Sequence, residues 1–244
     1  MKKKVITILG TRPEIIRLSE IIPKLDKFTN NIIVHTGQNF DSNLDKVFFK
    51  NFRLRKPDYF LKARGNFSEQ IGTILKKLHI IIKKEKPDRF LVLGDTNSSL
   101  GAIVAKRLNI PVFHMEAGNR QYDDIVPEEV NRRIIDNCSD ILLPYTNRSC
   151  ENLVAEGIPR NKIFISGNPI FEVIKKNIKN INKSNILKNL NIDKNKYFLL
   201  TIHRQENVDD IVRLKFIVRT LKKIYSKHKK PIIWPIHPRT FKNL

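Results

Sequence analysis

Short, continuously apolar runs that alternate with amphipathic stretches constrain the fold of this 244-residue chain more than any other feature. The runs Ile32–Val34 and Phe90–Leu93 contain no polar residue, which is typical of strands buried on both faces of a sheet. Such strands occur in parallel sheets that carry helices on both sides. The alternation therefore predicts an α/β fold built on a parallel sheet.

The apolar runs and the turn residues between them set the bounds of the predicted elements. We predict strands at Lys4–Gly10, Asn31–Gly37, Arg89–Asp95, Pro111–Ala117, Ile141–Thr146, Lys162–Gly167, Tyr197–His203 and Pro231–Ile236. We predict helices at Pro13–Lys27, Asn66–Lys86, Ser98–Leu108, Pro127–Asn137, Cys150–Gly157 and Val208–His228. Asn66, followed three residues later by Glu69, has the pattern of a helix N-cap.

A lysine- and asparagine-rich stretch at about residues 175–196 divides the chain into two parts. We predict a first domain over residues 1–172. Over residues 173–244 we predict a linker and a single strand–helix–strand unit, which buries too little apolar surface to form a domain. We therefore expect the second domain to be incomplete in this chain.

The composition is ordinary for a globular protein, with 41% apolar and 29% charged residues. No stretch approaches the roughly 20 apolar residues that span a bilayer, and the two cysteines lack zinc-ligand spacing. We expect a cytoplasmic protein that binds neither a membrane nor a metal. The net charge of +22 would suit nucleic acid, but the lysines are scattered without interleaved aromatic residues. We interpret this charge as compositional drift.

Polar residues follow several predicted strands, at the sheet edge where parallel sheets bind ligands. The loop at residues 10–14 places Arg12 at a helix N-terminus, where an anion would bind. Gln38 follows one predicted strand, and Asp95 ends another. Taken singly, the first two loops are also compatible with simple turns, and Asp95 with a helix cap.

Three further residues at element ends are candidates for acid–base chemistry. Glu116 lies at a strand end that we expect to be buried, where a carboxylate is costly unless it has a partner or a task. Glu128 begins the next helix, and His203 ends the first strand of the second part. Singly, Glu128 could complement the helix dipole and His203 could be structural. Their common location at one edge favours a functional site.

Six motifs occur in a specific order: Gly-Thr-Arg-Pro-Glu, Thr-Gly-Gln, Gly-Asp-Thr, Glu-Ala-Gly, Pro-Glu-Glu-x-Asn-Arg and His-Arg-x-Glu-Asn. This order resembles the non-hydrolysing UDP-N-acetylglucosamine 2-epimerase family over nearly the whole chain. The resemblance implies two Rossmann-like domains of the glycosyltransferase-B type, the second incomplete, and a homodimer. It implies a UDP-sugar substrate and no cofactor.

The activity implied by the resemblance is inversion of C2 of a UDP-2-acetamido sugar, through elimination and re-addition of UDP, for surface polysaccharide precursors. The resemblance gives catalytic roles to Asp95, Glu116, Glu128 and His203. It gives substrate-binding roles to Arg12, Arg17, Gln38, Arg132 and Arg204.

The chain departs from the family pattern in several places. Arg17 stands where well-known members have a lysine, and Asn39 replaces a histidine of the allosterically activated members, so we expect no such activation. The segment between Glu116 and Glu128 is two residues shorter than in the plain epimerases, as in the branch acting on modified UDP-2-acetamido sugars such as 6-deoxy hexoses. The family's second domain continues well beyond Leu244, so we expect a truncated chain that is inactive or nearly so alone, or completed by a second polypeptide.

Two alternatives remain open at this point. A UDP-sugar glycosyltransferase of the same architecture is possible because fold does not determine function, although three carboxylates are more than an inverting transferase needs. A basic nucleic-acid-binding protein is the other alternative. The acidic residues at the strand ends argue against it, since they would repel phosphates.

Overall fold

The computed structural model of this chain describes residues 2–38, 42–123, 126–202, 205–236, 240, 241 and 243. The structure divides into two compact units, Met1–Asn177 and Ile178–Leu244. Within the described residues, no helix is long and apolar enough to cross a membrane. The predicted domain bounds, 1–172 and 173–244, stay predictions.

The first unit is built on one parallel sheet. Its strands are β1 (Lys4–Leu9), β2 (Asn30–His35), β3 (Tyr59–Phe60), β4 (Arg89–Leu93), β5 (Val112–Met115) and β6 (Ile141–Leu143). They lie in the order β3-β2-β1-β4-β5-β6, and every neighbouring pair is parallel. The predicted α/β fold with a parallel sheet is confirmed.

Helices follow most of the strands. They are α1 (Arg12–Leu18), α2 (Ile22–Phe28), α3 (Ser42–Asn51), α4 (Phe67–Glu85), α5 (Ala102–Arg107), α6 (Pro127–Cys138), α7 (Asn147–Ala155) and α8 (Ile170–Asn182). Short 3₁₀ helices lie at Asn97–Gly101 and Arg160–Lys162. The second unit contains α9 (Ile186–Asn189), α10 (Gln205–Val208) and α11 (Ile211–His228), and its strands β7 (Phe198–Leu199) and β8 (Ile232–Ile233) pair in parallel.

The continuously apolar strands bury side chains on both faces of the sheet. Along β4, Phe90 and Val92 join the apolar cluster that contains Leu78 of α4. Leu91 and Leu93 belong to the cluster on the other face, with residues of α1. Because successive side chains of a strand point to opposite faces, a run without polar residues is what a sheet covered on both sides requires.

The predicted helix Pro13–Lys27 is wrong as a single element, because the structure has two helices there. Residues 19–21 separate α1 from α2, and Pro23 lies in the first turn of α2. Proline has no N–H to donate to the preceding turn and its ring clashes with that turn. The hydroxyl of Ser19 instead donates to the carbonyl of Ile16 at 2.7 Å, which closes the first helix.

The predicted strand Lys162–Gly167 is also wrong. Only Ile163 forms a bridge, to Leu142 of β6. Phe164 and Ile165 are half exposed, so this outermost segment lacks the packing on both faces that holds the inner strands. Gly167 then takes a left-handed backbone with φ 73°, which is incompatible with a continuing strand.

The lysine- and asparagine-rich segment at residues 175–196 is largely helical rather than a plain linker, since it contains the end of α8 and all of α9. Ile174, Ile178 and Ile181 recur at helical spacing along α8, and all three are about half exposed. The sequence reading also missed α3 and the two-residue strand β3. The strand β3 is too short to show a period. The helix α3 does carry apolar residues at helical spacing in the sequence, Leu44, Val47 and Phe48. This signal was overlooked.

Candidate functional site

The loops that follow β1, β2 and β4 pack together at one edge of the sheet. A side chain at Gly10 would overlap the hydroxyls of Thr36 and Ser98, so only glycine fits there. Those two hydroxyls lie 2.8 Å apart, and Ser98 Oγ donates to Gln38 Oε1 at 3.2 Å. The structure thus brings Gln38 to the edge that also carries Asp95.

Glu14 ties the loop after β1 to the loop after β4. Its carboxyl group is fully buried and accepts hydrogen bonds from the backbone N–H groups of Gly10, at 2.9 Å, and Thr11, at 2.7 Å. Thr96, from the other loop, donates its hydroxyl at 2.9 Å. Burial raises the pKa of Glu14 to about 7, against these hydrogen bonds, which lower it.

Glu116 and Arg17 form an ion pair between the end of β5 and helix α1. Glu116 has a left-handed backbone with φ 71°, a conformation that costs a non-glycine residue about 1–3 kcal/mol and is concentrated at functional sites. Its second carboxylate oxygen accepts from Asn119 Nδ2 at 3.2 Å. Burial raises the pKa of Glu116, the nearby charge of Asp95 adds to the rise, and Arg17 opposes it.

Asp95 is held by the helix that follows β5. Its Oδ2 atom accepts from Arg132 Nε at 2.8 Å, and Arg132 Nη2 lies 2.6 Å from the same oxygen. Asn131 donates its side-chain amide to the Asp95 carbonyl at 2.9 Å. Arg132 also donates to Glu129 at 2.9 Å. The edge therefore presents two carboxylates, Asp95 and Glu116, each beside a guanidinium.

Glu128 and Arg12 lie apart from these pairs. Glu128 is exposed in the first turn of α6 and has no hydrogen bond or ion pair with another described residue. The neighbouring Glu129 is the buried one, and it accepts the backbone N–H of Gln121 at 2.9 Å. Arg12 is half-buried at the start of α1. The predicted site residues His203 and Arg204 lie outside the described residues.

A buried network that the sequence reading missed supports the two carboxylates. The ring of His114 lies between Asp136 (Nδ1–Oδ1 2.8 Å) and the carbonyl of Gly94 (Nε2–O 3.1 Å). Arg120 donates to the other oxygen of Asp136 at 2.8 Å, and His114 and Arg120 hold the pKa of Asp136 below its usual range. This network links the turn before Asp95 to the turn after Glu116. A histidine in an otherwise apolar strand was its one signal in the sequence.

Tyr145 is a second residue that the sequence reading missed. It follows β6 and lies beside Glu116 and Arg17. Its hydroxyl is buried and does not reach hydrogen-bond geometry with any described residue, although it lies close enough to Arg17 and Glu116 to interact with both. Burial and the charge of Glu116 raise the pKa of this phenol, so the group stays protonated at neutral pH.

The described residues contain no group of three or more His, Cys, Asp and Glu side chains arranged to hold a metal ion. The chemistry that the edge supports is proton transfer by carboxylates next to fixed cations, which stabilise developing negative charge.

Known proteins are similar to this chain in both sequence and fold. A sequence model of the family described as UDP-N-acetylglucosamine 2-epimerase matches residues 24–244. A UDP-N-acetylglucosamine 2-epimerase of Methanococcus maripaludis is 44% identical over 99% of this chain and 67% of its own length. A UDP-2,3-diacetamido-2,3-dideoxy-D-glucuronate 2-epimerase of Pseudomonas aeruginosa is 37% identical over 97% of this chain and 67% of its own length.

A solved structure gives the same result at the level of the fold. The UDP-GlcNAc 2-epimerase of Methanocaldococcus jannaschii, crystallised with UDP-GlcNAc and UDP, aligns with a TM-score of 0.91 and 45% identity, over 99% of this chain and 68% of that one. The predicted glycosyltransferase-B type of fold is thereby confirmed. This chain spans about two thirds of the length of these relatives, and it belongs to the UDP-N-acetylglucosamine 2-epimerase family.

Proposed function

We propose that this chain inverts C2 of a UDP-2-acetamido sugar by eliminating UDP and adding it back. The observation that carries the proposal is the pair of carboxylates at the sheet edge, Asp95 and Glu116, each beside an arginine. The M. jannaschii relative was crystallised with UDP-GlcNAc, which supports a nucleotide-sugar substrate.

The proposed reaction explains why both carboxylates and cations are needed. No carbonyl group flanks C2 of the sugar, so its hydrogen is not acidic enough to leave alone. A carboxylate removes that proton while the C2–H electron pair forms a C1–C2 double bond and the C1–O bond breaks, with its electron pair leaving on UDP. Re-addition of UDP to C1 places a proton on the opposite face of C2. Atoms and charge balance over the cycle.

The described residues suit the two halves of this cycle. Burial favours the protonated form of Glu116, as a proton-returning group requires, and general acid–base groups of this kind contribute about 10²–10⁴-fold in rate. Arg17 and Arg132 supply positive charge for the departing diphosphate. We propose that Glu128, exposed at the start of α6, Gln38, Arg12, His203 and Arg204 complete the site when substrate binds.

The cellular location, the oligomeric state, the biosynthetic role and the substrate class belong to the same proposal. We propose a cytoplasmic homodimer that supplies precursors of surface polysaccharides. The substrate is a UDP-2-acetamido sugar, and the P. aeruginosa relative acts on one that carries a carboxylate.

Proton NMR in deuterated water tests the reaction directly. We expect the C2 hydrogen of UDP-N-acetylglucosamine to be replaced by deuterium, and incubation over days makes slow exchange measurable. Asp95→Asn and Glu116→Gln should each slow the exchange at least about 100-fold. Glu172→Gln, which changes an exposed carboxylate paired with Lys24, is the matched control.

Two results would contradict the proposal. No exchange despite bound nucleotide sugar would exclude epimerase chemistry for this chain. Transfer of the sugar to an acceptor without C2 exchange would instead identify a glycosyltransferase.

A further inference from the structure

A polar cavity of about 380 Å³ adjoins the two carboxylates, and we call it the side pocket. Its walls come from residues 119–122, from Arg132 and from the first turns of α7. Two wall residues also belong to the site described above, since Asn119 donates to Glu116 and Arg132 donates to Asp95. The volume lies in the range of small-ligand pockets. The side pocket therefore shares two of its wall residues with the site of the two carboxylates.

Three arginines line the side pocket, and one of them forms no ion pair with a described residue. Arg120 is ion-paired with Asp136 and Glu156, and Arg132 is paired with Asp95 and Glu129. Arg148, by contrast, is exposed and forms no hydrogen bond or ion pair with any described residue. The first turn of α7, where Arg148 lies, contains no acidic residue. The side pocket thus offers one guanidinium, that of Arg148, that no described residue engages.

The walls are held in place before any ligand binds. Ser149 donates to the side-chain carbonyl of Asn119 at 2.9 Å, and Asn152 donates to the backbone carbonyl of Gly118 at 2.9 Å. Tyr122 donates its hydroxyl to Asn152 at 2.7 Å, and its backbone is left-handed with φ 58°. A non-glycine residue keeps that conformation only where its surroundings impose it. Such preorganisation lowers the entropy lost on binding.

We propose that the side pocket binds a carboxylate carried by the hexose ring, so that the substrate is a UDP-2-acetamido uronic acid. This inference rests on the proposed function, because it deepens the substrate class of the same site. A single carboxylate matches a single unpaired guanidinium, with which it forms two parallel hydrogen bonds. A diphosphate carries more charge than one arginine neutralises. The methyl group of a 6-deoxy sugar would leave Arg148 unpaired among polar walls.

Calorimetry with three sugars tests this specificity: UDP-N-acetylglucosamine, its 6-deoxy analogue and the corresponding 6-carboxylate. We expect the chain to bind the carboxylate at least about tenfold more tightly than either uncharged sugar, as a charge-assisted bidentate pair allows. Arg148→Gln should remove that preference, and Arg148→Lys should restore only part of it, because lysine keeps the charge but not the fork. Arg107→Gln, an exposed arginine at the end of α5, is the matched control.

Equal affinity of the chain for all three sugars would overturn the inference. So would an Arg148→Gln effect of the same size on all three sugars and on UDP alone, which would mean that Arg148 binds the diphosphate. C2 exchange measured in parallel separates this inference from the proposed function. A preference without exchange contradicts the epimerase proposal alone, and exchange without a preference contradicts the side-pocket inference alone.

Discussion

At the scale of single residues, the site depends on polar groups whose partners come from distant parts of the chain. Arg17 meets Glu116, and Arg132 meets Asp95. The loops at the ends of parallel strands could be predicted to share an edge, so Asp95 and Glu116 were expected there. The particular ion pairs were not predictable, because they depend on which way each loop turns. Glu116 turns through a left-handed conformation that no short motif signals.

Tyr145→Phe tests whether the buried phenol beside Glu116 serves the reaction. A buried hydroxyl without a good partner is destabilising, so we expect the free energy of unfolding to stay the same or rise by up to about 1 kcal/mol. We expect C2 exchange to slow by roughly tenfold, because one uncharged donor next to Glu116 is lost. Tyr225→Phe is the matched control, because it removes the hydroxyl of an exposed tyrosine. A clear loss of stability would show that the hydroxyl is bonded in the folded protein.

Glu14→Gln tests the buried carboxyl group that joins the loops after β1 and β4. Burial raises the Glu14 pKa from 4.5 to about 7 in the folded state. The folded protein therefore binds the proton more tightly than the unfolded chain does. The contribution of this bound proton to the free energy of unfolding is complete below pH 4.5. It is lost as the pH rises to about 7, which lowers the free energy of unfolding by about 3 kcal/mol. Because other groups titrate in the same range, the quantity to compare is the difference in free energy of unfolding between the wild type and Glu14→Gln. Urea unfolding should show this difference falling by about 3 kcal/mol between pH 4.5 and 7.

His35 gives the same experiment an internal reference. Burial lowers the pKa of His35 from 6.5 to about 4, so its contribution is complete above pH 6.5 and is lost as the pH falls towards 4. This slope has the opposite sign to that of Glu14 and a similar size, so the two largely offset each other in the wild type between about pH 4.5 and 6.5. In Glu14→Gln, stability should therefore rise with pH between about 4 and 6.5. A difference between the wild type and the variant that does not change with pH would contradict the assignment to Glu14.

At the scale of the element, the start of α4 was well predicted. Asn66 caps α4 as predicted: its side chain accepts the Glu69 backbone N–H at 3.0 Å, and Glu69 accepts the Asn66 N–H at 2.8 Å. A cap is a local arrangement within four residues, so its residue types identify it. The break between α1 and α2 was missed although Pro23 marks it, because the apolar period continues across the break.

Asn66→Ala should lower the free energy of unfolding by about 1 kcal/mol, since the variant leaves a helix N–H without its acceptor. Urea unfolding followed by circular dichroism measures the change. Asn66→Asp keeps the acceptor and should retain most of the stability, whereas Ser68→Ala, in the exposed first turn, should have little effect. Equal losses in all three variants would mean that the cap contributes nothing.

At the scale of the whole molecule, the two units differ in how much apolar surface they bury. The strands β1 and β4 are buried on both faces. Among the described residues of Ile178–Leu244, the buried apolar side chains are Val208 and Leu214, whereas Leu199 is 69% and Phe216 is 69% exposed. Burial of apolar surface is the main favourable contribution to folding, so the second unit is the less stable one in this chain.

Hydrogen exchange measured by mass spectrometry should show that difference directly. We expect amides of β1 and β4 to exchange at least about 10³-fold more slowly than those of β7 and β8, because local opening of a small core needs much less free energy. Correction for intrinsic exchange rates removes the effect of sequence. Equal protection of the two sheets would contradict the prediction.

The sequence by itself determined the α/β class, the parallel sheet, the cap at Asn66, and the edge at which Asp95 and Glu116 lie. These features follow from the periodicity of apolar residues and from local hydrogen-bonding patterns, which are written within short stretches of chain. The six ordered motifs also identified the family. No single stretch of the sequence shows which loops contact each other. The pairing of the charged side chains therefore could not be predicted from it.

Tertiary structure alone decided that Glu14 joins two loops, that Tyr145 lies beside Glu116, and that Arg148 lies beside a polar cavity with no partner among the described residues. Each is a relation between segments that are far apart in the sequence and are brought together by packing of the sheet. Burial then raises the pKa of Glu14 and of Glu116, because desolvation depends on the atoms that surround a group and not on its neighbours along the chain.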